Sequence, residues 1–144
     1  LPLADFLTGA RQTARDGDEL VIAIHVPEQA EAGRAGFEKL GARRYLVISI
    51  AMAAARLVFS GGRIASAAIA VGACAPVAVR LGEIEAALHG LACSEAEPWL
   101  RDNMAGIMAA LSPIDDVRGT AGYRREAAAE LVTRLVGRLC GDTP

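Results

Sequence analysis

Two segments carry residues whose types and spacing could do chemistry. The first is Phe37-Glu38-Lys39-Leu40-Gly41-Ala42-Arg43-Arg44. Lys39, Arg43 and Arg44 put three cations within six residues. Such a cluster can hold phosphate or carboxylate groups, or simply be a solvated strand end. The second is Ser112-Pro113-Ile114-Asp115-Asp116-Val117-Arg118-Gly119-Thr120-Ala121-Gly122-Tyr123-Arg124-Arg125. It reads as a loop in which Asp115, Asp116 and Arg118 can pair. The loop leads into a helix with Arg124 and Arg125 in its first turn, where cations oppose the helix dipole. An acidic or anionic partner would explain them, and so would exposure to solvent.

Other chemistry is thin. No GxSxG, Walker loop, HExxH or GxGxxG occurs. His25 has no carboxylate or cysteine close by, and His89 sits at a helix end, where a cation suits the dipole. Cys74, Cys93 and Cys140 are far apart and form no CxxC, so the sequence offers no zinc or iron–sulfur ligand set. They read as reduced cysteines, some of them buried as small hydrophobes. A hydrolase built on Asp115 or Asp116 lacks a grouped base, nucleophile and orienting residue. No catalytic residue is therefore assigned, and the chain is not expected to be catalytic by itself.

Composition narrows the partners. The net charge of −2 gives no basic footprint for nucleic acid. The apolar run from Tyr45 to Ala55 is too short to span a bilayer, and no basic run would hold an anionic membrane. No signal peptide is visible at Leu1 to Gly9, so a soluble, cytoplasmic protein is expected. At 144 residues the chain suits one domain, residues 1–144. Aromatics are 4% and alanine is abundant, so the core must pack through close contact of small side chains.

The elements that position these segments follow from pattern. Asp16-Gly17-Asp18 reads as a turn and Glu19 to Val26, closed by Pro27, as a strand. Ala35 to Gly41 suggests a second strand. Ser60-Gly61-Gly62-Arg63 marks a hairpin between arms near Ser49–Phe59 and Arg63–Ala73. Helical spacing begins at Leu81 and ends at Gly90. Ser94-Glu95-Ala96-Glu97 matches a capping box for a helix running to about Leu111, where Ser112-Pro113 stops it. Thr120 can cap a last helix to about Leu139. Ala127, Leu131, Leu135 and Leu139 form its docking stripe, with Glu130 and Arg134 paired on the other side. Strands followed by helices predict an α+β fold: an antiparallel sheet of three to four strands, then about three helices on one face.

Taken together, the motifs resemble the C-terminal domain of the FAD-binding subunit of the xanthine dehydrogenase / carbon monoxide dehydrogenase family of molybdenum hydroxylases. Four segments carry the likeness in order: Phe6 to Thr13, Glu19 to Pro27, Phe37 to Arg44, and Asp115 to Arg125. The resemblance implies that the domain closes over FAD bound mainly by a preceding domain that is absent from this chain. It implies iron–sulfur and molybdenum-cofactor partners, with electrons passing through FAD to NAD, oxygen or another acceptor. It maps cofactor contacts onto Val21 and Lys39. One departure is plain: Val47 stands where the family carries an aspartate, which leaves Arg43 and Arg44 without the expected local partner. The competing expectation is a stand-alone interaction or dimerisation module that keeps the fold without flavin.

Overall fold

The computed structural model describes residues 1–141, which divide into two units, Leu1–Ala32 and a second from Gly33 onward. In the first, a one-turn helix α1 (Leu3–Phe6) leads into a minimal antiparallel pair, β1 (Leu7–Gly9) and β2 (Gln12–Thr13). The turn at Asp16–Glu19 forms as expected, with the Glu19 N–H donating to the Asp16 carbonyl at 3.2 Å. The strand expected from Glu19 to Val26 does not form; the segment has no ladder partner. Its β-branched composition supplies propensity, but a strand needs a neighbour to take its backbone hydrogen bonds. Leu20, Val21, Ile22, Ile24 and Val26 are all exposed.

The second unit is a four-stranded antiparallel sheet in the order β3 (Arg34–Gly41), β4 (Ser49–Ser60), β5 (Arg63–Gly72), β6 (Val79–Arg80). Gly61 and Gly62 make the β4–β5 turn at φ +57° and +75°, a pair of left-handed conformations that glycine adopts without Cβ strain. Ser60 and Arg63 face one another across that turn. Helices α2 (Gly82–Leu88), α3 (Cys93–Asp102), α4 (Met104–Ala109) and α5 (Ala121–Gly141) follow. The architecture is thus the α+β arrangement read from the sequence.

The sheet has two unlike faces because side chains alternate along each strand. On one face Ala51, Ala53, Ala55 and Leu57 of β4 are buried, and α5 lies over them with Ala128, Val132, Leu135, Val136 and Leu139. The small β4 side chains let the helix come close. Gly36 opposite has the same role: a Cβ there would stand 2.8 Å from Leu135 Cδ1. Each buried Leu or Val in this layer contributes about 1.5–3 kcal/mol by leaving water.

The helices depart from expectation in three places. The Ser94–Glu97 box does not form, because α3 begins at Cys93; Glu95 caps it instead, accepting from the Ala92 N–H at 2.9 Å. Glu97 pairs with Arg101 one turn on, at 2.7 Å. The helix does not run unbroken to Leu111. Asn103 leaves helical geometry at φ −115°, ψ 21°, and its side chain donates to the Trp99 carbonyl at 2.8 Å, which ends α3 and starts α4. Finally, Glu130 pairs across to Arg101 of α3 at 3.4 Å and not to Arg134. Thr120 caps α5 as expected, taking the Tyr123 N–H at 3.2 Å.

Candidate functional site

The loop ahead of α5 and the first turn of α5 make a lock. Asp116 receives Arg118 through Nε at 3.0 Å and through Nη2 at 2.5 Å. Asp115 caps the helix by accepting from the Ala121 N–H. Arg124 is 1% exposed. Its Nε donates to the Ile50 carbonyl at 3.1 Å, and its Nη1 to the Ile114 carbonyl at 2.8 Å and to Asp116 at 3.4 Å; Nη2 reaches the Ala73 carbonyl. One planar fork thereby ties the start of β4, the end of β5 and the 112–120 loop to α5. Ala73 sits at φ +65°. That conformation costs about 1–2 kcal/mol for a residue with a Cβ, and the guanidinium bond to its carbonyl helps hold it. Arg125 donates to the Leu111 carbonyl at 3.2 Å. The anionic partner that the two arginines suggested is internal: backbone carbonyls, with Asp116 for Arg124. The Arg118 guanidinium holds the Asp116 carboxyl down to about 2.

The other basic segment is arranged differently. In β3, Arg34, Gly36, Glu38 and Leu40 turn toward α5, and Glu38 meets Arg138 there at 2.9 Å. Ala35, Phe37 and Lys39 turn outward. Lys39 pairs in register with Met52, and Phe37 with Ala54; Ala54 pairs with Ala70, and Met52 with Gly72. The outer face beside Lys39 is therefore nearly flat. Gly72 has no Cβ, and a Cβ there would stand 2.4 Å from Met52 Cε, so Met52 lies down across it. Phe37 is 56% exposed. Lys39 is exposed, and its Nζ donates to the Val47 carbonyl at 2.8 Å.

The loop from β3 to β4 gives both of its arginines partners. Arg43 Nη2 donates to the Leu46 carbonyl at 2.6 Å, and the Arg44 guanidinium lies 5.3 Å from the Tyr45 ring centre. Both arginines thus have local partners, contrary to the expectation from Val47. The loop needs Leu46 at φ +50° to present these carbonyls. Tyr45, Leu46 and Ile48 are exposed.

Val21 belongs to the first unit, in the extended segment, and is 57% exposed. Lys39 belongs to the second. His25 and His89 are exposed. Among the described residues no three His, Cys, Asp or Glu side chains gather as a metal site, and no helix is long and apolar enough to cross a membrane. Sequence reasoning missed the Val47 carbonyl, which joins the site through its backbone. It also missed Met52 and Gly72, which meet only once the β4–β5 register is known.

Residues 37–139 match the profile of the CO dehydrogenase flavoprotein C-terminal domain. The chain belongs to that family. Its flat face with Lys39 and its Arg124 lock both fall inside the matched span. The carbon monoxide dehydrogenase medium chain of Afipia carboxidovorans is 32% identical over 134 residues, covering 93% of this chain and 46% of the relative. A reconstituted CO dehydrogenase from Oligotropha carboxidovorans superposes with a TM-score of 0.80 at 32% identity, over 96% of this chain and 48% of that one. Quinoline 2-oxidoreductase from Pseudomonas putida 86 superposes at 0.81 with 24% identity, over 95% and 46%, a likeness of fold alone. The chain spans about half the length of these relatives.

Proposed function

We propose that this flavoprotein C-terminal domain, residues 1–144, forms one wall of an FAD site, most of the cofactor being held by a preceding FAD-binding domain. Lys39 carries the reading. Its ammonium stands on the flat, open face of the sheet, and the bond to Val47 uses one of its three hydrogens. The others can meet an oxygen of a ring system laid against Met52, Ala54 and Phe37. The residues fit one side of a flavin: a planar apolar floor with a cation at its edge. They do not fit the whole cofactor, since a bound ligand of that size buries most of its surface.

When bound, FAD would pass electrons from iron–sulfur clusters, reduced by a molybdenum-cofactor partner, to NAD, oxygen or another acceptor. Lys39 would hold positive charge where negative charge gathers on reduction. Val21 would offer a backbone group or an apolar contact beside the ring. The exposed run Leu20, Val21, Ile22, Ile24 and Val26 supports a neighbouring domain here, because a strand-like apolar edge is rarely left open to water. A cytoplasmic setting goes with this reading.

A second reading is a stand-alone interaction or dimerisation module. The exposed Tyr45, Leu46 and Ile48, in the loop where Val47 replaces the family's aspartate, favour it. One experiment separates the two. Joined to a relative's FAD-binding region, the chain is expected to give a yellow protein with a bound-flavin spectrum, while the chain alone with added FAD stays colourless. A stable homodimer of the chain whose joined form also remains colourless would sink the flavin reading.

A further inference from the structure

Helices α3 and α5 lie side by side, and their contact brings two thiols together. Cys93 is the first residue of α3 and is half-buried; Cys140 is in the last turn of α5 and is 5% exposed. Both line one cleft of about 760 Å³, with Ser94, Glu97, Arg101 and Gly137. Both therefore border the same space between α3 and α5. Gly137 lets α5 come close to α3: a Cβ there would stand 2.5 Å from Glu97 Oε2. Cys74 is elsewhere, buried with its sulfur against the Ile50 and Arg124 carbonyls at 3.9 and 3.7 Å.

We propose that Cys93 and Cys140 form a peroxide-reactive dithiol that closes to a disulfide stapling the start of α3 to the end of α5. The inference stands apart from the flavin reading. Cys93 is the residue that a small oxidant can reach from the cleft. Burial, together with the nearby Cys93, pushes the Cys140 thiol up to about 12, which leaves it protonated and second to react. The Cys93 thiolate attacks the O–O bond of hydrogen peroxide. A sulfur–oxygen bond forms, the O–O bond breaks, and the departing hydroxide takes a proton to leave as water. The Cys140 sulfur then attacks Cys93. The S–S bond forms, the sulfur–oxygen bond breaks, and a second water leaves with the Cys140 proton. Two thiols lose two electrons and two protons; peroxide becomes two waters.

The test uses the full chain, treated with a small excess of hydrogen peroxide and digested with trypsin. The sequence places Cys74, Cys93 and Cys140 in three separate peptides, 64–80, 81–101 and 139–144. The proposal expects an intact mass lower by about 2 Da, reversed by dithiothreitol, with peptides 81–101 and 139–144 joined. Cys140→Ser should stop at a dimedone-trappable sulfenic acid on Cys93, heavier by about 16 Da before trapping. Cys93→Ser should leave the Cys140 thiol unreacted under the same treatment. Overoxidation of Cys93 in the unmodified chain while Cys140 remains alkylatable would overturn the proposal. So would a crosslink that contains Cys74.

Discussion

Two arginine-bearing segments of this chain look alike as sequence and behave oppositely in the fold. Around Asp116, Arg118 and Arg124 the charges are consumed internally: Arg124 is buried, and its donors go to Ile50, Ala73, Ile114 and Asp116. Around Lys39, Arg43 and Arg44 the charges stay at the surface, each with a light local partner. The difference teaches that a basic cluster is a binding candidate only after the fold has taken the cations it needs. In the first segment the fold takes them; in the second it leaves Lys39 beside a flat apolar floor.

The largest effect should come from the lock. Arg124→Met strands buried carbonyls and Asp116, and should cost about 3–5 kcal/mol of unfolding free energy in urea titrations. Lys39→Met, by contrast, should stay within about 0.5 kcal/mol. Equal losses would break the distinction between the two segments.

Next is acid tolerance. Asp116 has its carboxyl held at about 2 in the fold against an ordinary 3.8, by the side-chain and backbone bonds from Arg118. The folded state therefore gains stability above about pH 4, and that gain fades as pH falls from about 4 toward 2. Asp116→Asn should lower stability at neutral pH and flatten the loss over that window in pH-dependent melting. An unchanged acid limb would mean that Asp116 is not a coupling point.

A smaller effect is expected at the loop tip. Leu46→Gly removes a Cβ from a left-handed conformation on an exposed residue and should raise stability by about 0.5–1 kcal/mol, read as a higher melting temperature. A loss there would show that Leu46 packs in a way its exposure does not suggest.

Much of this fold was legible in the sequence where one local rule decides. Gly61-Gly62 dictated the hairpin, Thr120 the start of α5, and Leu135 and Leu139 of the apolar stripe part of its docking face, while Ala127 and Leu131 are only partly buried. The segment Glu19–Val26 was not legible, because strand propensity is expressed only when a partner strand completes the ladder. The break at Asn103 escaped because a side chain bonding its own turn competes with helix continuation in a way that spacing does not reveal. At the candidate site, Lys39 could be named from sequence through resemblance. Its floor could not, because Met52, Ala54, Ala70 and Gly72 become neighbours only through register. The anionic partner sought for Arg124 was also hidden: three of its four acceptors are backbone carbonyls, which every residue carries.

The central claim is that Lys39 faces a flavin. The most direct measurement is the flavin midpoint potential of the FAD-containing protein carrying this domain, with Lys39 and with Lys39→Met. Loss of the cation should lower the potential by something on the order of 30 mV, equivalent to about tenfold in a two-electron equilibrium. An unchanged potential and unchanged flavin content in the Lys39→Met protein would contradict the account.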